Sequence, residues 1–256
     1  IGMFAFAAWD VERRELWLGR DRFGEKPMYY GHHDGALLFG SELKALRAIP
    51  GYHPSVDPDS LVDLLQWSWV PAPWTIYHGV RKVCPGHVVR FDAAGHLIED
   101  VPYWSPVDVA LRTPVNGPRG EDAVDELADL LGVTVAARMV SDVPLGAFLS
   151  GGIDSSTVVA IMAGCSSQPV RTFSVGFTEQ AYDESPYARA VAQHLGTDHY
   201  ELVVSPADAL QVIPLLATMY DEPFGDSSQI PTFLLSQLAR KHVTVALSGD
   251  GGDELF

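Results

Sequence analysis

Hydrophobic positions fall in short runs through the first 105 residues and at helical spacing mixed with strand-like runs thereafter. In the first stretch FAFAAWD, ELWLGRD, MYYGHH and ALLFGSE read as strands, separated by the turn signals DVERRE and HHDG. SELKALRAI (41–49) predicts a short helix ended by Pro50-Gly51. DPDSLVDLLQWSWV (57–70) predicts another, with Asp57 or Asp59 as cap and Pro71/Pro73 as stop. GHVVRFDAAGHLIEDVPYW predicts a hairpin around Ala94-Gly95. SPVDVALRTPVNGPRG, rich in Pro and Gly and without a period, predicts a linker over 106–120.

From Glu121 the period changes. EDAVDELADLLGVTVAARMV sets Val124, Leu127, Leu131 and Val135 on one helical stripe. Strand-like GAFLS, VRTFSVGF, HYELVV and VTVALSG then alternate with helical patterns from Ile153, over ESPYARAVAQHLG, PADALQVIPLLATMY and IPTFLLSQLARK. Such alternation predicts a mainly parallel sheet covered on both faces, with right-handed crossovers. The predicted architecture is therefore a β-rich domain (1–105), a linker (106–120) and an α/β domain (121–256).

Charge and composition narrow the chemistry. The chain has 256 residues and a formal net charge of −16, which argues against a broad nucleic-acid footprint, because phosphate backbones are gripped by clustered Lys and Arg. No apolar run approaches the ~20 residues of a membrane span. Two cysteines without a CxxC suggest neither zinc nor a disulfide framework, and a cytoplasmic setting is expected. The chain opens on Ile1 in a strand-like run and stops at Phe256 after a glycine-rich turn, so it reads as an excerpt of a longer protein.

Ligands of parallel sheets bind beyond the carboxyl ends of the strands. Three unusual segments are expected there: SGGIDSS, SVGF and SGDGGDE. In the first, Gly151 and Gly152 allow backbone geometry and close approach that a side chain would block. The helix that follows points its first N–H groups at the same space, which favours an anion. Ser150, Ser155 and Ser156 add hydroxyls, and phosphate suits that set. Asp154 belongs beside an anion only with a cation between them. Mg²⁺ prefers oxygen ligands shared between one or two carboxylates and phosphates, so a second carboxylate is expected from Asp253, Asp250 or Glu254. No lysine follows the glycines, which excludes a Walker A loop. On the residues alone, SGGIDSS is either a phosphate loop or a turn with a helix cap, and Asp253 is either a metal ligand or a loop carboxylate. The Trp and Tyr side chains at 67–77 are expected in the core or a domain interface, and Cys165 as a buried apolar residue.

SGGIDSS resembles the pyrophosphate loop of ATP pyrophosphatases. Together with SDVPLGAFLSGGIDSS, TFSVGF, YDESPYARAVAQHLGTDH and VALSGDGGDELF, it makes the second half similar to the synthetase domain of glutamine-hydrolysing asparagine synthetases. GMFAFAAWD, LGRDRFGEKPMYYG and FGSELKAL resemble the later strands of that family's glutaminase domain, an N-terminal-nucleophile hydrolase fold. The resemblance implies that Ser150, Gly151, Gly152, Asp154 and Ser155 hold the β- and γ-phosphates of ATP. It implies that Leu149 and Val175 bracket the adenosine, that Ser248 and Gly249 close on the nucleotide, and that Asp154 and Asp253 bind Mg²⁺. Asp250 stands where many relatives carry Glu. The reaction implied adenylates an aspartate side-chain carboxylate and transfers ammonia, free or from glutamine, to give asparagine, AMP and pyrophosphate. The region where the family carries its amino-terminal cysteine nucleophile is outside the sequence, and Cys84 is internal, so no catalytic residue is assigned for glutamine hydrolysis. The C-terminal part that carries the family's catalytic lysine is likewise outside the sequence. Alternatives are an amide-forming ligase with another acceptor and a non-catalytic nucleotide-binding relative. A homodimer of the full-length protein is left open.

Overall fold

The computed structural model describes residues 2–113, 117–180 and 182–252. Its contacts divide the chain into two units. Unit 1 comprises residues 1–115 and 217–226; unit 2 comprises 116–216 and 227–256.

Unit 1 is built on two antiparallel sheets. One has the order β1 (Ala5–Asp10), β2 (Glu15–Arg20), β6 (His87–Phe91), β7 (Leu97–Pro102). The other has β4 (Ala36–Gly40), β3 (Tyr29–His33), β5 (Val80–Lys82). The β6–β7 pair is the hairpin expected around Ala94-Gly95, with Gly95 at φ 82° in its turn. The alternation of the strands explains the core. Leu18, Val89 and Phe91 from the first sheet meet Tyr30 from the second, with Met28 and Val83 beside them. Full burial of side chains this size contributes about 1.5–3 kcal/mol each. A second cluster joins Leu43 and Leu46 of α1 (Leu43–Arg47) to Tyr52, Val70, Ile76 and Val80.

The helix α2 (Pro58–Trp67) starts where the sequence places it. Asp57 is the cap, its carboxylate accepting from Asp59 N at 3.0 Å. It stops earlier than the proline pair, at Ser68, which takes a left-handed C-cap conformation (φ 66°). Of the neighbouring aromatics expected in the core or a domain interface, Trp67, Trp69 and Trp74 are about half exposed and so are not core residues. Arg81 instead lies 4.4 Å from the Trp74 ring centroid, a cation over a π face. The predicted linker opens with a helix, α3 (Pro106–Arg112): Ser105 caps it by accepting from Asp108 N at 3.2 Å, and Pro106 suits its first turn. Residues 114–116 of that stretch lie outside the described residues.

Unit 2 carries the parallel sheet, in the order β10 (Asp198–Val204), β9 (Arg171–Phe177), β8 (Leu145–Phe148), β11 (Val245–Leu247). Against one face pack α4 (Glu121–Arg138), α5 (Ile153–Cys165) and α6 (Ser185–Leu195), through Val135, Val159, Met162, Ala188 and Ala192. Against the other pack α7 (Pro206–Met219) and α8 (Gln229–Ala239), through Val212, Leu234 and Ala239, with Phe173 and Val204 from the strands. The stripe on α4 is only partly used, since Val135 is buried and Val124 is exposed. Cys165 is exposed, because it ends α5 rather than facing the sheet. β9 is buried on both faces, yet carries Thr172 and Ser174. Both hydroxyls are satisfied by His199 on β10, at 2.9 Å and 3.2 Å, as burial of polar groups requires. Desolvation lowers the His199 pKa below the usual histidine value.

The chain runs outward from β8 to β9 to β10 and then returns to place β11 on the other side of β8. That reversal is a topological switch point, the place in an open α/β sheet where a ligand crevice is expected at the carboxyl ends of the strands.

Candidate nucleotide site

The loop after β8 is shaped before any ligand is considered. Leu149 continues the strand pairing, donating to Phe173 O at 2.9 Å, and is 1% exposed. Ser150 then turns inward: its N–H donates to Ser155 Oγ at 3.2 Å, and the two hydroxyls lie 2.9 Å apart. Gly152 N donates to Ser150 Oγ at 3.2 Å. These bonds fold the loop back on the first turn of α5. Gly151 is at φ 85°, and a Cβ there would stand 2.6 Å from Ala188 N and from Tyr187 Cβ. A glycine is therefore required twice over, for the left-handed backbone and for the close approach of α6.

The loop after β11 closes over the same turn. A Cβ on Gly249 would lie 2.6 Å from Ser155 N, so the two backbones touch. Gly252 N donates to Gly249 O at 3.2 Å, and a Cβ on Gly252 would be 3.1 Å from Asp154 Oδ2. Asp253 and Glu254 lie outside the described residues, but Gly252, the chain neighbour of Asp253, rests against the Asp154 carboxylate.

Between these loops is a cavity of about 510 Å³. Leu149, Ser150, Gly152, Asp154, Ser155, Val175, Ser248, Gly249 and Asp250 all line it. Gly151 and Ser156 are not on its wall. Gly151 backs onto α6, and Ser156 Oγ is buried without a hydrogen-bond partner. Sequence reasoning missed Ser174, Tyr182 and Glu184, and also Ser228, Pro231 and Thr232 at the start of α8. Tyr182 and Glu184 carried a usable signal, since they lie just before a helix that follows the carboxyl end of a strand. Asp183 between them is occupied structurally. Its Oδ1 accepts from Ser185 N at 3.1 Å and Phe177 N at 3.3 Å, and bonds from the Ser185 hydroxyl and backbone lower its pKa.

Every charged residue on the wall, Asp154, Glu184 and Asp250, is acidic. An anion can share this space only with a cation. Among the described residues no group of three His, Cys, Asp or Glu is arranged to hold a metal by itself. Among the same residues no helix is long and apolar enough to cross a membrane.

A parallel sheet with a glycine-turned strand–helix junction at its switch point, joined in one chain to a β-rich unit of antiparallel sheets, is the arrangement of a glutaminase-type domain followed by an ATP-pyrophosphatase domain. Residues 126–256 match the asparagine synthase family and residues 1–104 match the glutamine amidotransferase domain, so the chain belongs to the asparagine synthase family. It is 38% identical, over its whole length, to 49% of a putative asparagine synthetase [glutamine-hydrolyzing] 2 of Methanocaldococcus jannaschii. It is 36% identical to 39% of asparagine synthetase [glutamine-hydrolyzing] 1 of Bacillus subtilis, and 32% identical to 39% of amidase chry2 of Gibberella zeae, again over all of this chain. The chain thus spans about half or less of the length of these relatives.

Proposed function

We propose that this chain belongs to an ATP-dependent, glutamine-hydrolysing asparagine synthetase and carries its nucleotide pocket. The single observation that carries the reading is the interlock of two glycine loops, with Gly249 against Ser155 and Gly252 against Asp154, at the switch point of the sheet. The adenosine lies between Leu149 and Val175. The β- and γ-phosphates sit on the Ser150–Ser155 turn, where the unpaired N–H groups that open α5 favour negative charge. Ser248 and Gly249 close the pocket, and Asp154 and Asp253 hold Mg²⁺, which neutralises the polyphosphate when bound.

The chemistry follows from that placement. A carboxylate is a poor electrophile. Its oxygen attacks the α-phosphorus of ATP, the bond to the β,γ-pyrophosphate breaks, and an acyl-AMP forms. Ammonia then attacks the acyl carbon, AMP leaves with the bonding pair, and a proton is lost to give the amide. The residues of the loop stabilise charge that grows on the departing pyrophosphate, through donors fixed before the reaction. The substrates in this reading are ATP, aspartate, and glutamine or ammonia, handled by a cytoplasmic enzyme with no nucleic-acid partner. A second reading, an amide-forming ligase with another acceptor, is favoured by the similarity to amidase chry2.

Asp154→Asn in the full-length protein tests the assignment. ATP–pyrophosphate exchange should fall by about 100-fold or more while glutamine hydrolysis continues. Parallel loss of both activities in a folded protein would contradict it. Exchange supported by another carboxylic acid but not by aspartate would favour the second reading.

A further inference from the structure

β9 is an inner strand covered on both faces, where apolar side chains are expected. Phe173, Val175 and Phe177 meet that expectation on the face of α7 and α8. Thr172 and Ser174, which point to the opposite face, do not, and both are buried. The register pairs Thr172 with His199 of β10 and Ser174 with Glu201, so one imidazole reaches two successive hydroxyls of the neighbouring strand. Its Nδ1 lies 2.9 Å from Thr172 Oγ1 and its Nε2 lies 3.2 Å from Ser174 Oγ. Thr172 Oγ1 is also 2.8 Å from Thr197 Oγ1. The charges nearest the ring, Glu201 on β10 and Arg189 on α6, pair with each other at 3.0 Å and act on it in opposite directions.

The two hydroxyls differ in one respect. Thr172 is away from the cavity, whereas Ser174 stands on its wall. Ser174 is one residue past the last β8–β9 pair, Phe148 with Phe173, and directly precedes Val175. A serine with no partner rotates its O–H and offers a ligand a donor in one moment and only lone pairs in the next. Ser174 is held. Burial lowers the His199 pKa, so at about pH 7 the ring is neutral, with one donor and one acceptor nitrogen. With the proton on Nδ1, Ser174 donates to Nε2 and turns its lone pairs outward. With the proton on Nε2, Ser174 accepts and keeps its own O–H for a ligand. Either tautomer fixes one sense of the hydroxyl before a ligand arrives, so its ordering is not a cost of binding.

We propose that His199 is a positioning residue for the nucleotide pocket: through Nε2 it fixes the Ser174 hydroxyl on the wall beside Val175. His199 itself is not on that wall. The inference rests on the nucleotide reading of the cavity, and every residue in it belongs to unit 2. It accounts for a polar cluster that apolar side chains of the same shape could replace at little cost to folding.

The test uses two carboxamides in the full-length protein. His199→Gln sets its amide where Nε2 stands and keeps a partner for Ser174. His199→Asn sets its amide near Nδ1, keeps Thr172 and leaves Ser174 without a partner. Mg·ATP affinity is measured by titration calorimetry, with thermal unfolding followed in parallel. Affinity should weaken about fivefold in His199→Asn, about fivefold in Ser174→Ala and still only about fivefold when the two are combined. His199→Gln should stay within about twofold of wild type. A purely structural histidine gives another pattern: Gln and Asn variants that weaken binding alike, or Asn and Ala losses that multiply. Either result overturns the proposal, as does wild-type affinity in a folded His199→Asn protein. Should that variant not fold, wild-type affinity in Ser174→Ala overturns it equally. A wild-type protein that binds no Mg·ATP overturns the nucleotide reading and this proposal with it.

Discussion

Two polar loops, each following a strand and each containing glycine and aspartate, are used in opposite ways. After β2, the RDRFGEK loop consumes its own hydrogen-bonding capacity. The Asp21 carboxylate accepts from the N–H groups of Phe4, Phe23, Glu25 and Lys26, and Arg20 donates to the carbonyls of Gly24, Lys26 and Val83. Asp21 is 1% exposed. After β8, the SGGIDSS loop spends its serine hydroxyls and the N–H groups of Ser150 and Gly152 on itself, and Asp154 is left on the wall of a cavity. A loop closed on itself has its polar groups used up; a loop that fixes its shape with hydroxyls and leaves a carboxylate on a cavity wall keeps groups with which a ligand could bond, as the proposed function requires.

The comparison predicts opposite phenotypes for two like substitutions. Asp21→Ala removes a buried carboxylate and strands four N–H groups, so the loss of stability should be about 3 kcal/mol or more, measured by denaturant unfolding. Asp154→Asn should leave stability within about 0.5 kcal/mol of wild type while removing exchange activity. If both destabilise the protein alike, the distinction between the loops fails.

The acid response should separate them as well. Burial works to raise the pKa of Asp21, but the N–H groups of Lys26, Glu25, Phe4 and Phe23 outweigh it, and the net direction is downward. A carboxylate whose pKa is lower in the folded state contributes its stability above the unfolded value. It loses that contribution as pH falls through the folded value. Stability of the wild type should therefore decline below the ordinary carboxylate range near pH 4, and Asp21→Asn should flatten that decline. A decline equally steep in the variant would assign it to other groups.

Smaller effects sharpen the picture on the ligand side. Gly249→Ala places a methyl where Ser155 N already stands, so the β11 loop must lift. Mg·ATP affinity should fall about tenfold at a stability cost of about 1 kcal/mol. Ser150→Ala removes the hydroxyl that ties Ser155 and Gly152 together, and about 1 kcal/mol of binding, roughly a fivefold change, is expected in a titration.

These contrasts also mark what could be read from the residues. The strand–helix alternation after Glu121, the turn at Gly151 and the cap at Asp57 follow from local rules, because period, φ and capping depend on near neighbours. The Ser150–Ser155 lock is equally local. Glu222 and Lys82, an ion pair at 2.6 Å, are 140 positions apart, and nothing in either segment announces the other. Ser228, Pro231 and Thr232 reach the cavity only because of how the sheet is ordered, which no periodicity encodes. The exposure of Trp67, Trp69 and Trp74 was illegible for a related reason: an aromatic cluster shows apolar content but not which surface will cover it.

The most direct test of the account is hydrogen–deuterium exchange of the full-length protein with and without Mg·ATP. The loops at 150–156 and 248–253, which come from opposite sides of the switch point, should gain protection together, while the RDRFGEK loop, already closed, should not change. Protection of one loop without the other, or of neither at saturating nucleotide, would contradict a phosphate site shared between them.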